Sequence, residues 1–399
     1  MEERNFFERL VDVSPGMEIW WDSSPVIFEN WCNKLLEQAD PADRDILQQQ
    51  FKRMYNPENP RDQLFRGVTT NPPLSLQAIQ DDSAFWEKEA KGILADNPGL
   101  DKEGLFWELY KKVVKRGSEM YLPLFESSNY KEGYLSGQVD PRSVFDKDAM
   151  LRQAEEIAAI GPNVMVKVPG SKEGYEVIEY LTAKGIPTNN TLTFVLSQLV
   201  DCADSVKRGL ETAKKNGVDL SQWRSVITHM EGRFGNLGDL KGYGQEVGIE
   251  LSEGEIRLAE LAIFKKAYKY LADNNLPSKM LSCSLIVGPT VDGIDRIWHL
   301  EEKTGAATVV TCPPSFIAKV LLLPDVDKIT FEKDRILQDI PQDLMDKLMK
   351  IPYFVKGYAA DGYSRDEYAT IPPLQKTAEQ FSKATNEMVD FAGRCLEKN

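Results

Sequence analysis

The sequence contains few of the residues that form metal sites and disulfides. It has two histidines, which lie far apart in the chain, and five widely scattered cysteines with no C-x-x-C pair. Zinc sites and disulfide frameworks depend on closely spaced ligands or on an even set of cysteines. We therefore expect no metal and no disulfide framework, and the scattered cysteines favour a reducing cytoplasm.

Positive charge and long apolar segments are also scarce. The 399 residues include 48 Lys and Arg against 62 Asp and Glu, which gives a formal net charge of −14. Nucleic acids and anionic membranes attract cationic proteins, so this balance argues against both as partners. No apolar run approaches the roughly 18–20 residues of a membrane helix. The amino terminus, MEERNFFERL, lacks the basic and apolar segments of a secretory signal.

What the chain contains instead is a repeated pairing of a short β-type run with a helical stretch. Several runs end in Pro, Gly or Ser, which are typical of turns. The pattern predicts a parallel sheet, and eight strands are the number that closes a (β/α)8 barrel, an α/β fold. We expect one domain over residues 1–399, with a barrel core at about 17–320 and a C-terminal helical extension at about 321–399. The eight runs are Met17–Asp22, Phe65–Asn71, Tyr134–Asp140, Asn163–Pro169, Ile186–Leu192, Arg224–Met230, Lys279–Leu285 and Ala307–Cys312.

Three helices are indicated by local signals. Apolar residues spaced by four predict a helix near residues 103–116. Ser252 and Glu255 form a capping box that opens a long helix to about Asp273. Four apolar residues spaced by seven predict a last helix that packs across the barrel or against a neighbouring subunit: Leu374, Phe381, Met388 and Cys395.

Polar residues at the carboxyl ends of the strands are candidates for the site, because (β/α)8 barrels place their active sites there. Lys167 is the most informative of them, since it interrupts the apolar run that begins at Val164. Its ammonium can reach solvent along a buried stem, or burial can lower its pKa and leave an amine that forms a Schiff base. The inward positions and the residue just beyond them are Asp22, Asn71, Gln138, Lys167, Asn189, Thr191, Thr228 and Arg233.

Four motifs occur in an order and at a spacing that fit one barrel. They are GVTTNP at Gly67–Pro72, VDPR at Val139–Arg142, VKVP at Val166–Pro169 and KGIPTNNTL at Lys184–Leu192. Together they resemble the transaldolase family, strongly over about residues 17–235 and more weakly over about 275–315. The resemblance implies Schiff-base transfer of a dihydroxyacetone unit and a homo-oligomer, a dimer or larger.

The resemblance also implies a role for each matched residue. Lys167 corresponds to the lysine that attacks the ketose carbonyl, and Asp22 to the carboxylate that exchanges a proton with the C4 hydroxyl. Asn71 and Asn189 correspond to the amides that bind the hydroxyls of the three-carbon unit. No cofactor is expected, because the protonated imine is itself the electron sink.

Further residues correspond to groups that surround the reacting carbons. Thr191 and Ser136 match groups that line the site and hold a water molecule. Arg233 matches the arginine that binds the substrate phosphate, a role that suits its forked donors. Ser284 is retained from the family's phosphate segment, and Thr228 replaces a serine whose hydroxyl it can supply.

Two departures from the family pattern put the reaction balance and the substrate in question. Gln138 stands where transaldolases have a glutamate, as in the fructose-6-phosphate aldolase branch, but Met230 stands where that branch has a tyrosine. We therefore expect Asp22 and the water at Thr191 to carry more of the proton transfer. Ile286 replaces a second phosphate-binding arginine, so the anionic tail is a phosphate, a sulfonate or absent, or it meets a basic residue not evident from the sequence.

Three functions remain after these observations. The first is a transaldolase that moves a dihydroxyacetone unit from a ketose, as a phosphate or a related anionic sugar, to an aldehyde. The second is an aldolase that releases free dihydroxyacetone, which Gln138 favours. The third is a catalytically silent relative that binds sugars or a partner protein. One further interpretation concerns His229, which strand alternation points toward the helix layer as a packed side chain.

Overall fold

The computed structural model describes residues 4–398. Eight parallel strands close into a barrel in which each strand pairs with its neighbours in sequence and the last pairs with the first. The predicted (β/α)8 fold is thereby confirmed. The barrel strands are β1 Glu18–Trp21, β2 Phe65–Thr69, β3 Tyr134–Gln138, β4 Val164–Pro169, β5 Thr188–Thr191, β6 Ser225–Met230, β7 Lys279–Cys283 and β8 Val309–Cys312.

Helices surround the barrel, and a two-stranded ribbon of Thr290–Val291 and Ile294–Asp295 follows β7. Within residues 4–398 no helix is long and apolar enough to cross a membrane. The α-helices of this part of the chain are α1 Phe6–Asp12, α2 Phe28–Gln38, α3 Arg44–Met54, α4 Pro72–Asp81, α5 Ser83–Asp96, α6 Lys102–Ser127, α7 Lys147–Ala158, α8 Lys172–Ala183, α9 Leu196–Lys215, α10 Glu231–Asn236, α11 Leu240–Glu246, α12 Glu253–Asp273, α13 Trp298–Glu301, α14 Pro314–Leu321, α15 Gln342–Leu348, α16 Pro352–Tyr358 and α17 Pro372–Glu397.

Each predicted β-type run contains a strand, although most of the strands are shorter at one or both ends. The run predicted at Phe65–Asn71, for example, stops pairing at Thr69, because Asn71 already caps α4 by accepting the backbone N–H of Leu74 at 3.0 Å. At the barrel mouth, the residues that form the turn or the helix cap are therefore the last one or two residues of the predicted β-type run.

The amino half of the barrel interior is filled by side chains. Trp20 lies beside Gly67, where a Cβ would come within 2.5 Å of the indole, so only glycine admits the ring. Below it, Glu18 accepts from the Trp20 indole at 3.0 Å, from Arg224 at 2.6 Å and from Lys279 at 2.7 Å. This packing closes the barrel at its amino end and leaves the carboxyl end for a cavity.

The three predicted helices are present. The Ser252 capping box opens α12, which ends at Asp273 as expected. The helix predicted near 103–116 is α6, which continues to Ser127 because a further buried stripe, including Tyr121 and Phe125, packs on the core. The last helix, α17, buries all four residues spaced by seven and packs across the barrel against α4 and α6.

Candidate active site

A cavity of about 690 Å³ opens at the carboxyl ends of the strands. Strand ends and the loops after them form its floor and one wall, and α17 forms the opposite rim. Six of the predicted site residues line it: Asp22, Asn71, Lys167, Thr228, Arg233 and Ser284. The four others, Ser136, Gln138, Asn189 and Thr191, are buried in the adjacent ends of β3 and β5.

Lys167 projects into the cavity from the carboxyl half of β4, where Gln138 and Asn189 are its partners in the neighbouring strands. Its residue exposure is 6%, and its Nζ donates to the carbonyl oxygen of Thr70 at 3.1 Å. Burial lowers the pKa of this lysine, and the nearby Asp22 opposes that shift only in part. A free amine is therefore accessible at a lower pH than for an exposed lysine, as nucleophilic catalysis requires.

Asp22 follows β1 directly and faces the same cavity. Its Oδ1 accepts from the Thr69 hydroxyl at 2.6 Å, and Thr69 lies 2.5 Å from the hydroxyl of Thr311. Burial raises the pKa of Asp22, while Lys167 and Thr69 act in the opposite direction. The two shifts bring the pKa values of Lys167 and Asp22 closer together, since burial favours the neutral form of each group.

Two amides with different surroundings flank the lysine. Asn189 donates to the Ser136 hydroxyl at 2.9 Å and accepts from the Thr228 hydroxyl at 2.8 Å, which fixes its orientation between β3 and β6. Asn71 uses its side-chain oxygen to cap α4, so its amide N–H groups remain as donors toward the cavity. Asn71 therefore caps α4 and lines the cavity at the same time.

Gln138 and Thr191 lie behind the cavity lining. Both are almost completely buried, and the side-chain oxygens Oε1 of Gln138 and Oγ1 of Thr191 have no protein hydrogen-bond partner among residues 4–398. Buried polar atoms are normally satisfied by protein or by ordered water. These two oxygens therefore remain available for hydrogen bonds with an ordered water or a ligand.

The far side of the cavity holds Arg233, at the start of α10. Its Nη1 donates to Thr377 at 3.0 Å and to Gln380 at 2.8 Å, both on α17, and its guanidinium lies 5.5 Å from the centre of the Phe381 ring. Ile286 and Ser284 line the wall next to it. One half-buried guanidinium is thus placed in the cavity wall, where it contacts α17.

Several cavity residues were not predicted from the sequence. Thr69 and Thr311 support Asp22. Strand alternation, counted back from Asn71, is the signal that could have placed Thr69 inward, whereas no local signal places Thr311 beside Asp22. Cys283 also faces the cavity, and burial raises the pKa of its thiol to about 12, so it stays protonated. Gln380, Lys383 and Glu387 come from α17, and no local sequence signal links them to the strands.

Both histidines lie outside the cavity, in a buried layer between the strands and α12. His229 is packed there as predicted, 3.1 Å from the carbonyl oxygen of Phe194, and burial lowers its pKa to about 3. His299 accepts the backbone N–H of Ile286 at 3.1 Å and lies 2.8 Å from Glu260. This layer therefore supports the loop after β7 from behind.

A closed (β/α)8 barrel with a buried lysine of lowered pKa and a half-buried carboxylate at its mouth has the architecture of a lysine-dependent barrel enzyme. A model of the transaldolase/fructose-6-phosphate aldolase family matches residues 38–388. The chain therefore belongs to the transaldolase/fructose-6-phosphate aldolase family. The matched range begins after β1, so the position of Asp22 is known from the structure rather than from this match.

Curated relatives agree with this membership at modest identity. Transaldolase 2 from Nostoc punctiforme is 26% identical over 299 residues, which cover 70% of this chain and 76% of the relative. Transaldolase from Saccharopolyspora erythraea is 29% identical over 205 residues, or 51% of this chain and 54% of the relative. Transaldolase from Thiobacillus denitrificans is 30% identical over 201 residues, or 49% and 55%.

Proposed function

We propose that the protein transfers a dihydroxyacetone unit from a ketose to an aldehyde acceptor through a Schiff base on Lys167. The observation that carries this proposal is the buried Lys167 amine, of lowered pKa, in one cavity with Asp22. Lysines that act as nucleophiles toward carbonyls need a low-dielectric site of this kind. Membership of the family supplies the reaction class, and the cavity supplies the groups for it.

The covalent steps begin at the carbonyl. The Lys167 amine adds to C2 of the ketose to give a carbinolamine, which loses water to form a protonated imine. Asp22 then takes the proton of the C4 hydroxyl, the C3–C4 bond breaks, and its electron pair enters the imine to form an enamine. The aldehyde fragment leaves, and a second aldehyde adds to the enamine carbon while Asp22 returns the proton. Hydrolysis of the new imine releases the product and the free amine.

The remaining predicted residues bind and orient the substrate in this scheme. Asn71 and Asn189 would hold the hydroxyls of the three-carbon unit, with Ser136 and Thr228 fixing the Asn189 amide. Thr191 and Gln138 would orient a water molecule through their buried oxygens. An amide cannot carry a proton, so Asp22 has the main role in proton transfer.

An aldolase that releases free dihydroxyacetone is a second candidate, and Gln138 is the observation that favours it. The two activities share every step up to the enamine and differ only in its fate. Products measured with and without an acceptor aldehyde separate them: transfer yields a new ketose, whereas cleavage yields dihydroxyacetone. A silent, sugar-binding relative would yield neither.

The test is chemical trapping with dihydroxyacetone, because this ketone forms the imine without any bond cleavage. The protein is mixed with dihydroxyacetone, reduced with borohydride and digested, and the modified peptide is identified by mass spectrometry. A three-carbon adduct on Lys167 supports the proposal. A folded protein with no adduct, or with the adduct on another lysine, would overturn it. Light scattering tests the predicted homo-oligomer separately.

A further inference from the structure

The charged groups of the cavity fall into two sets at different depths. Lys167 is buried and Asp22 is half-buried at the strand ends, where the proposed chemistry takes place. Arg233, Lys383 and Glu387 line the outer part, and the last two belong to α17. Only the outer set can meet the end of a sugar that is remote from its carbonyl. Its cations are one arginine, from α10, and one lysine, from the C-terminal helix.

We propose that Lys383 on α17 and Arg233 on α10 form a two-cation clamp for a tetrahedral oxyanion, a phosphate or a sulfonate, at the end of the substrate remote from its carbonyl. This proposal rests on the proposed function, because the position of the anion is defined relative to a carbonyl at Lys167. It assigns to the C-terminal helix a specificity-determining role.

The helical spacing of three α17 residues places Lys383 on the face of that helix that Arg233 contacts. Gln380, Lys383 and Glu387 are separated by three and four residues, so they share the face of α17 that lines the cavity. Arg233 is bound to the same face, since its Nη1 donates to Thr377 and Gln380. The arginine is therefore anchored within one helical turn of Lys383.

Both cations also retain donors for a ligand. In the described chain, the Nε and Nη2 of Arg233 make no hydrogen bond, and Lys383 has neither a hydrogen bond nor an ion pair. A guanidinium edge and an ammonium offer several N–H donors to an oxyanion, and charge-assisted bonds of this kind are stronger than neutral ones. The wall next to Arg233 is apolar at Ile286, and the second cation of the cavity lining outside the barrel strands is Lys383 of α17.

Glu387 provides a comparison variant, because it carries the opposite charge on the same helix face as Lys383. It lies one turn beyond Lys383 on the same face, is exposed, and makes no ion pair in residues 4–398. Its carboxylate must weaken the binding of an anion at the rim by simple repulsion. Removal of Lys383 and removal of Glu387 should therefore change anion affinity in opposite directions, which a loss of helix packing cannot do.

The experiment uses inorganic phosphate as the probe and isothermal titration calorimetry at low ionic strength, where exposed charges are least screened. Lys383→Gln should weaken phosphate binding about fivefold to tenfold, Lys383→Arg should stay within about twofold of the wild type, and Glu387→Gln should tighten binding about twofold. Lys398→Gln is the matched control, because Lys398 carries the same charge just past the carboxyl end of α17 but pairs with Glu87.

Kinetics with fructose 6-phosphate provide the second readout. The KM should rise by the same factor in Lys383→Gln while kcat changes little, and a 6-sulfonate ketose run in parallel identifies the preferred tail by its lower KM. If Lys383→Gln binds phosphate as tightly as Lys398→Gln, the clamp is wrong. If Lys383→Gln and Glu387→Gln both weaken phosphate binding, the loss reflects changed helix packing and the clamp is wrong. Circular dichroism establishes that each variant is folded.

Failure of the clamp and failure of the proposed function are distinguishable. Dihydroxyacetone carries no anion, so the three-carbon adduct on Lys167 of the wild type reports only on the Schiff base. Phosphate titration needs no chemistry and reports only on the clamp. If the adduct forms on Lys167 but Lys383→Gln leaves phosphate affinity unchanged, only the clamp is overturned. If the folded wild type forms no adduct, the proposed function is overturned, and with it the clamp's role in that function.

Discussion

At its amino end the barrel places Glu18 of β1 beside Lys279 of β7, and at its carboxyl end it places Asp22, just after β1, in one cavity with Lys167 of β4. Both ends thus combine a carboxylate and a lysine inside the same sheet. Glu18 accepts from both Lys279 and Arg224, and although burial works to raise its pKa, these cations hold the pKa below the usual value.

The carboxyl end behaves in the opposite way. Lys167 donates to a backbone carbonyl oxygen and not to a carboxylate, and the pKa of Asp22 is raised while that of Lys167 is lowered. Burial without direct pairing therefore moves both groups toward their neutral forms. At these two ends of the barrel, the carboxylate that is hydrogen-bonded to cations has a lowered pKa, and the carboxylate without such a bond has a raised pKa.

The most stringent test of this comparison is to remove each lysine in turn. Lys167→Met should abolish the dihydroxyacetone adduct and lower ketose turnover on the order of 10³-fold or more, because the nucleophile is lost. Lys279→Met should keep both, since Glu18 retains Arg224. Borohydride trapping and steady-state turnover measure the two variants side by side. Equal losses in the two would contradict the contrast between the barrel ends.

Asp22→Asn should have the next largest effect. Turnover should fall about 10²-fold because the proton acceptor is lost, yet the adduct on Lys167 should still form. Its pH profile should move to lower pH, since an anion that raises the pKa of Lys167 has been removed. Trapping yields across a pH series give the shift. A variant that turns over ketose at the wild-type rate would remove Asp22 from the mechanism.

Much of the barrel could be predicted from the sequence because its signals are local. The β-type runs, the Ser252 capping box and the outward position of His229 each follow from a period or a cap within a few residues, and each is found. Lys167 stood out for the same reason, as one charge in an apolar strand.

The parts that could not be predicted depend on closure of the barrel and on contacts distant in sequence. Thr311 reaches the Asp22 site only because β8 pairs with β1, and Lys383 enters the cavity only because α17 crosses the mouth. The continuation of α6 beyond residue 116 likewise depends on a core surface formed by other elements. No local pattern in the sequence indicates that these residues lie close to the elements they contact.

Glu18→Gln tests the stabilising half of the comparison. Loss of the carboxylate leaves Arg224 and Lys279 without their partner at a mostly buried site, so the free energy of unfolding should fall by about 2 kcal/mol, a value reduced because Lys279 is partly exposed. Because the folded pKa of Glu18 is lowered, its stabilisation is present above its unfolded pKa and is lost as the pH falls through the folded value.

The difference in the free energy of unfolding between the wild type and Glu18→Gln should therefore be largest at neutral pH and should decrease below about pH 4. Urea unfolding at several pH values measures it. Asp22→Asn serves as the control at the other end of the barrel: its carboxylate is disfavoured by burial, so its stability should stay within about 1 kcal/mol of the wild type. A gap that does not depend on pH would show that Glu18 contributes packing and not charge.

Gln138→Glu should sharpen the comparison with the smallest effect, because it adds a carboxylate next to Lys167 without removing any group. Gln138 pairs with Lys167 in the barrel register, and its Oε1 lies in the interior without a protein partner in the described structure. A carboxylate there favours the ammonium form, so the trapping profile should move to higher pH. It also supplies a proton carrier, so the ratio of transfer to cleavage should change severalfold. An unchanged ratio, measured as new ketose against free dihydroxyacetone, would contradict the expectation that Asp22 and the water at Thr191 carry more of the proton transfer in the presence of Gln138.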